Sequence, residues 1–189
     1  MLSESDDRRR PFLSRERCWR LGGGRCAAGS PILPVGAIIL NVQTVYEAAG
    51  GANGLLRLAN AWHARVTADE VVSHAFSHGF HPDHTQRLAA YWAESFGGPT
   101  TYTDCYGDQT SVVRMHSGNG PHQEMDHRAI ACFDHALEDV GLADDELRRV
   151  LHDYFAWTTT TMSRYHRSAD DVSDGLRVPR WSWRGLLDG

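Results

Sequence analysis

The stretch "RLAAYWAESFGGPTTY", residues 87–102, carries the clearest structural pattern of this chain. Leu88, Trp92 and Phe96 recur every four residues, which places their side chains on one face of an α-helix. The glycine pair that begins at Gly97 then stops the helix. The stretch therefore predicts an amphipathic helix whose apolar face belongs to a helical core.

The same helical periodicity continues through most of the chain from residue 44 onward, with Asn53 available as a helix cap and Pro82 in a first turn. No segment shows the alternation of a β-strand, so the sequence predicts an all-α domain, with a turn-rich connection at 99–110. The predicted helical segments are 44–51, 53–66, 68–76, 81–98, 121–140 and 144–166.

Composition excludes several classes of protein. The 189 residues carry a net charge of −5, which gives no basic face for nucleic acid. The apolar stretch 31–40 is too short to span a membrane. The four cysteines form no CxxC, CxxCH or zinc-like pairing and imply no disulfide framework, so we expect a reducing, cytoplasmic setting. The eleven histidines, in contrast, invite a metal or haem site.

Three regions differ in character. Residues 1–42 are rich in Arg and Gly and are expected to be a disordered extension or an incorrectly assigned start. The motif "RRPFL" (9–13) imitates a twin-arginine export signal, but later arginines interrupt the apolar run that should follow it. Residues 43–167 form the predicted helical domain, and the apolar tail 168–189 is expected to pack on it.

A candidate iron ligand is His116 in "SVVRMHSGNG" (111–120), where an imidazole closes a short apolar run before a flexible turn. Haem iron needs one neutral imidazole from such an adjustable segment and a mostly apolar pocket opposite. His84, Leu88 and Trp92 follow at intervals of four on one helical side and suit that opposite face. Trp62, His63 and Phe76 are the further candidates for this face.

At these residues the chain resembles the group II truncated haemoglobins over about residues 45–166. The resemblance implies a two-over-two helical sandwich that holds haem b (iron protoporphyrin IX) and binds dioxygen, and often carbon monoxide or nitric oxide. Its most specific part is "GGPTTY" at the end of the presumed distal helix, with a histidine roughly fifteen residues on. The segments that carry it are "YEAAGG", "LLRLANAWHARV", "DEVVSHAF", "RLAAYWAESFGGPTTY" and "VVRMH".

The resemblance assigns roles to five residues of this chain. His116 matches the proximal ligand, and Phe76 matches the aromatic residue that packs on haem after the C helix. His84 and Leu88 match the two distal-helix positions that face the bound gas. Trp92 lies one turn further along the same helix.

Three features depart from the family pattern. His63 stands where the family usually has a tyrosine that donates a hydrogen bond to the ligand. Ala129 stands where group II usually has a tryptophan, which predicts a roomier pocket without an indole donor. The run after the proximal histidine, usually Ala-Pro-Phe and a basic residue, is here "SGNG" (117–120). We therefore expect haem ligation to be kept, while affinity for a gas does not follow from the resemblance.

Two other functions remain open. One is a non-haem metalloenzyme that uses the His-rich stretch 73–84, although no HExxH motif is present. The other is a globin-shaped regulatory domain without haem. Nitric oxide dioxygenation or peroxide chemistry would be side activities that need a reductase partner, and the oligomeric state stays open. The candidate ligands of the metalloenzyme are His74, His78, His81, Asp83 and His84.

Overall fold

The computed structural model describes residues 43–77 and 79–187, so the expectations for residues 1–42 lie outside the described residues. The described part is mostly helical, which confirms the all-α prediction. The α-helices are α1 (Val45–Ala48), α2 (Gly51–Ala68), α3 (His84–Ser95), α4 (Thr101–Cys105), α5 (Gln109–Met115), α6 (Gln123–Asp139) and α7 (Asp145–Met162). Short 3-10 turns occupy Val72–Phe76, Ser163–Tyr165 and Ala169–Asp171.

Helices α1 and α2 meet at a tight corner. The Thr44 side chain accepts a hydrogen bond from the Glu47 amide at 3.1 Å, and the Glu47 carboxylate accepts from the Thr44 amide at 2.9 Å, so α1 begins with a complete capping box. Gly50 then caps α2 with a left-handed φ of 85°. Asn53 therefore lies inside α2, and its predicted role as the cap is wrong.

The core is built where α2 packs on α3 and α6, and where α6 packs on α7. Phe133 of α6 and Phe155 of α7 stack with ring centroids 4.2 Å apart. Trp92 of α3 presents its edge to both rings, at 5.4 and 6.2 Å. These three aromatic residues join three helices. Aromatic pairs in such arrangements stabilise a core by more than the area that they bury would give.

The connection at 99–110, predicted as turns, contains α4. Glu94, only 5% exposed, explains why a helix forms there. Its carboxylate accepts hydrogen bonds from the Thr103 amide at 3.0 Å and the Thr103 hydroxyl at 2.6 Å. This support comes from a residue on α3, which a search for local periodicity does not detect.

The C-terminal tail contains a small antiparallel hairpin of β1 (Arg180–Ser182) and β2 (Gly185–Leu187). Trp181 of β1 is buried, and its ring lies 5.6 Å from that of Tyr154 and 5.5 Å from that of Trp157 on α7. The sequence analysis did not predict this hairpin, because strands of three residues are too short to show alternation.

Among the described residues, no helix is both long and apolar enough to cross a membrane. Of the cysteines in this part of the chain, Cys132 is a free thiol. The cytoplasmic location stays a prediction.

Candidate functional site

Four aromatic rings from α2, the first 3-10 turn, the loop after it and α3 meet beside the core. His63 of α2 has its ring centroid 4.5 Å from that of Phe80 and 5.1 Å from that of His84, the first residue of α3. Phe76, which ends the first 3-10 turn, lies 5.4 Å from His63 and 5.7 Å from His84. We call these four residues the four-ring cluster. It brings together three of the residues predicted for the distal face.

The turn that carries Phe76 is fixed by Asp69. The Asp69 carboxylate accepts hydrogen bonds from the amides of Val71 and Val72, both at 2.9 Å. It also pairs with the Arg128 guanidinium of α6 at 2.8 Å. The bond from Arg128 and the bond from Val72 lower the pKa of Asp69 to about 2, so this carboxylate stays charged at neutral pH. The first 3-10 turn is therefore tied to α6.

Both histidines of the cluster are neutral at pH 7. Burial, together with the neighbouring His63 and His116 imidazoles, lowers the pKa of His84 to about 4. Burial also lowers the pKa of His63. The Nδ1 atom of His63 and the Nε2 atom of His84 are buried, and neither has a hydrogen-bond partner among the described residues. Buried polar atoms are normally paired, so these two nitrogens suit a ligand placed between them and the opposite wall.

Trp62 connects the four-ring cluster to the core. Its ring lies edge-on to Phe76 at 6.5 Å and to Trp92 at 6.2 Å. Trp92 is buried among core aromatics one helical turn beyond Leu88, which is partly buried against the same core. The structure thus places Trp92 in the core beneath the cluster.

Ala129, for which the resemblance stated above implies a tryptophan, is half-buried on α6. Its carbonyl oxygen accepts a hydrogen bond from the Trp62 indole at 3.2 Å. The indole of Trp62 therefore links α2 to α6 and is not a free donor toward the cluster.

His116 lies at the C-terminal end of α5. Asp108 begins this helix by accepting from the Ser111 amide at 2.8 Å, and His116 ends it with an exposed imidazole. The Nδ1 atom of His116 lies 2.8 Å from the carbonyl oxygen of Val112. Since a carbonyl only accepts, Nδ1 carries the hydrogen, and the neutral ring keeps a lone pair on Nε2. This is the tautomer that a metal ligand requires.

Other histidines that follow His116, and those of the stretch proposed for a non-haem metal, are placed differently. His122 pairs with Asp126 at 2.9 Å, and His127 is exposed on α6. In the stretch proposed for a non-haem metal, His81 accepts a hydrogen bond from the Asp83 amide at 3.0 Å, and His78 lies outside the described residues. The described ranges contain no group of three or more His, Cys, Asp or Glu residues that could hold a metal ion.

Two participants were not predicted from the sequence. Phe80, whose ring completes the cluster, belongs to a short loop where helical periodicity gives no signal. The Val112 carbonyl could have been found, because it lies four residues before His116 at the helical spacing.

Comparisons with known proteins give a family match and several similar folds. A model of the bacterial-like globin family matches residues 44–163. The haemoglobin of the thermophilic phototrophic bacterium Chloroflexus aurantiacus is similar at 25% identity and a TM-score of 0.56, over 64% of this chain and 97% of that one.

Two further solved structures are similar in fold. The group II truncated haemoglobin of Bacillus anthracis matches at 20% identity and a TM-score of 0.55, over 64% of this chain and 90% of that one. A truncated oxygen-avid haemoglobin of Bacillus subtilis matches at 20% identity and a TM-score of 0.54, over 64% of this chain and 98% of that one.

Proposed function

Because this chain belongs to the bacterial-like globin family, we propose that it holds one haem b between His116 and the four-ring cluster and reversibly binds dioxygen there. Nitric oxide and carbon monoxide are further diatomic ligands of the same site. The observation that carries the proposal is the bond from His116 Nδ1 to the Val112 carbonyl, 2.8 Å long, which leaves Nε2 as a ligand atom.

The residues present fit haem on both sides. Haem, when bound, supplies an iron that takes a fifth bond from the protein and binds a diatomic gas at its sixth position. His116 provides the fifth bond, and the Val112 carbonyl orients its ring. On the opposite side, Phe76 and Leu88 provide apolar contact area, and the unpaired His63 and His84 nitrogens provide the polar atoms.

His63 and His84 stabilise a polar gas in the pocket. A neutral imidazole has one N–H donor and one acceptor nitrogen, and the lowered pKa values keep both rings neutral at pH 7. An N–H directed at a ligand with partial negative charge forms a strengthened hydrogen bond. In the gas-free protein, either imidazole would be able to bind the iron in place of the gas. Ala129 stands where group II truncated haemoglobins usually have a tryptophan, so no indole at this position can donate a hydrogen bond to the gas.

The Bacillus subtilis protein is an oxygen-avid haemoglobin. Dioxygen is accordingly the first ligand that we assign to this chain. Nitric oxide dioxygenation and peroxide chemistry are secondary activities. Nitric oxide dioxygenation requires a reductase to return the iron to its ferrous state, and peroxide chemistry requires an electron donor, so neither is the assigned function of this chain alone.

The test is a hemin titration of the purified protein, followed by visible spectra in the oxidised, reduced and carbon monoxide-bound forms. We expect saturation at one haem per chain and a Soret band that shifts when carbon monoxide is added. Failure to take up hemin would favour the haem-free regulatory domain. Colourless protein that contains zinc would favour the non-haem metalloenzyme.

A further inference from the structure

Helix α5, which carries His116, is held by a part of the chain that lies beyond the family match. That match ends at residue 163, whereas the contacts to α5 come from segment 165–176. Segment 165–176 follows α7 and includes the 3-10 turn Ala169–Asp171, which packs against α5.

The first set of contacts involves two side chains on α5. The Thr110 hydroxyl accepts a hydrogen bond from the Leu176 amide at 3.1 Å. The Arg114 guanidinium donates to the Val172 carbonyl at 3.1 Å and pairs with the Asp174 carboxylate at 2.9 Å. Segment 165–176 is therefore bound along α5 by several polar contacts.

The second set involves the loop that directly follows His116. The Gly118 amide donates to the Tyr165 carbonyl, and the Gly120 amide donates to the His166 carbonyl, both at 2.9 Å. Gly118 and Gly120 have φ values of 77° and 73°, which other residues rarely adopt. The glycines of this loop thus permit a backbone-to-backbone ladder with segment 165–176.

These contacts flank His116 on both sides. Arg114 is anchored two residues before it, and Gly118 is anchored two residues after it. Val113 on α5 and Val172 in segment 165–176 are each only 2% exposed, so apolar side chains next to these polar contacts are buried. The backbone on either side of His116 therefore cannot move away from segment 165–176 unless several of these bonds break.

We propose that segment 165–176 is a positioning element for His116, and that Arg114 is its principal positioning residue. This inference rests on the proposed function, because it concerns the bond from His116 Nε2 to haem iron. By fixing both flanks of His116, the segment sets the distance and tilt at which Nε2 meets the iron. The "SGNG" loop, which departs from the family pattern, is then the surface that accepts this segment.

The experiment compares haem-loaded full-length variants. Arg114→Ala removes the contacts to Val172 and Asp174, and Asp174→Ala removes the ion pair alone. Arg114→Lys restores a donor and a charge. Arg149→Ala is the matched control, because Arg149 forms a similar exposed ion pair with Asp153 at 2.8 Å within α7. Arg114 and Asp174 are exposed enough that their variants are expected to fold, which circular dichroism checks.

The readout is the iron–histidine stretching band, recorded by resonance Raman after photolysis of the carbon monoxide adduct. We expect Arg114→Ala to shift this band to lower frequency and broaden it, Asp174→Ala to do so less, and Arg114→Lys to restore it. Hydrogen exchange at the Gly118 and Gly120 amides should accelerate in parallel. Arg149→Ala should resemble the wild-type protein in both measurements.

The outcomes separate the two proposals. If the wild-type protein binds no haem or shows no iron–histidine band, the proposed function fails, and this inference fails with it. If the wild-type band is present and Arg114→Ala leaves it unchanged, the inference alone is overturned, whatever the amide exchange shows. A changed band that Arg114→Lys does not restore also contradicts the role assigned to Arg114.

Discussion

The imidazole rings of His63 and His84 lie with their centroids 5.1 Å apart, and each has one buried nitrogen that lacks a partner among the described residues. Two adjacent buried imidazoles avoid a shared positive charge, and each ring keeps one donor and one acceptor. In the proposed haem site, this pair would therefore determine the polarity of the side opposite His116.

Replacement of His84 by leucine should speed the release of dioxygen. A lost hydrogen bond of about 1.4 kcal/mol corresponds to an approximately tenfold faster dissociation. Stopped-flow displacement of dioxygen by carbon monoxide measures this rate in His84→Leu, His63→Leu and the double variant. His127→Leu, at an exposed position on α6, is the control. Wild-type rates in all three distal variants would show that these imidazoles do not contact the gas.

The haem-free protein should lose stability as the pH falls. The pKa of His84 is about 4 in the folded protein, whereas the ordinary value near 6.5 applies to the unfolded chain. Between about pH 6.5 and pH 4 the unfolded chain therefore binds a proton at His84 that the folded protein does not bind. The free energy of unfolding declines over this interval. After a discount for solvent screening of the half-buried ring, we expect a loss of about 1–2 kcal/mol.

Urea unfolding of the wild-type protein and of His84→Gln, at pH 7 and pH 4.5, checks this pH dependence. The glutamine variant should lose less stability between the two values, and His127→Gln should behave as the wild type does. An identical pH dependence in His84→Gln and the wild type would refute the burial of His84 as its source.

Trp62→Phe tests the link between α2 and α6. Phenylalanine keeps most of the ring packing but removes the indole donor, which leaves the Ala129 carbonyl without its 3.2 Å hydrogen bond. We expect a destabilisation of about 1–2 kcal/mol by chemical denaturation. Trp62→Leu, which also loses the aromatic contacts to Phe76 and Trp92, should cost more. Equal costs in the two variants would mean that the aromatic contacts contribute nothing, whereas wild-type stability in Trp62→Phe would mean that the hydrogen bond contributes nothing.

Trp181→Ala tests how far the C-terminal hairpin stabilises the helical domain. Because Trp181 is 8% exposed and packs on Tyr154 and Trp157, we expect a loss of about 3 kcal/mol. The exposed Leu187 of the same hairpin offers a control, since Leu187→Ala should change stability by less than about 0.5 kcal/mol. A wild-type unfolding midpoint in Trp181→Ala would show that the hairpin does not stabilise the fold.

The long helices could be predicted because their buried apolar residues recur at helical spacing. The spacing of Leu88, Trp92 and Phe96 predicts α3 without any information about the residues that pack against them. The spacing of apolar residues predicts α6 and α7 in the same way. Helix α4 could not be predicted in this way, because it depends on the buried Glu94 of a neighbouring helix. The hairpin around Trp181 depends likewise on rings of α7 that are distant in sequence.

The candidate site follows the same division. His63, Phe76 and His84 lie together in the structure, and they were named from spacing and resemblance. Phe80 was missed because a loop residue has no period to reveal it. The attachment of α5 to segment 165–176 was also missed, since its backbone bonds involve carbonyl groups of Tyr165 and His166 that the sequence does not distinguish from any others.

The most direct measurement is the visible spectrum of His116→Gly after hemin titration, without and with added imidazole. Our account predicts that the glycine variant lacks the wild-type Soret and reduced spectra, and that free imidazole restores them by entering the space of the lost side chain. His122→Gly should keep the wild-type spectra throughout. If His116→Gly binds haem with an unchanged spectrum in the absence of imidazole, another residue holds the iron, and the assignment of His116 is wrong.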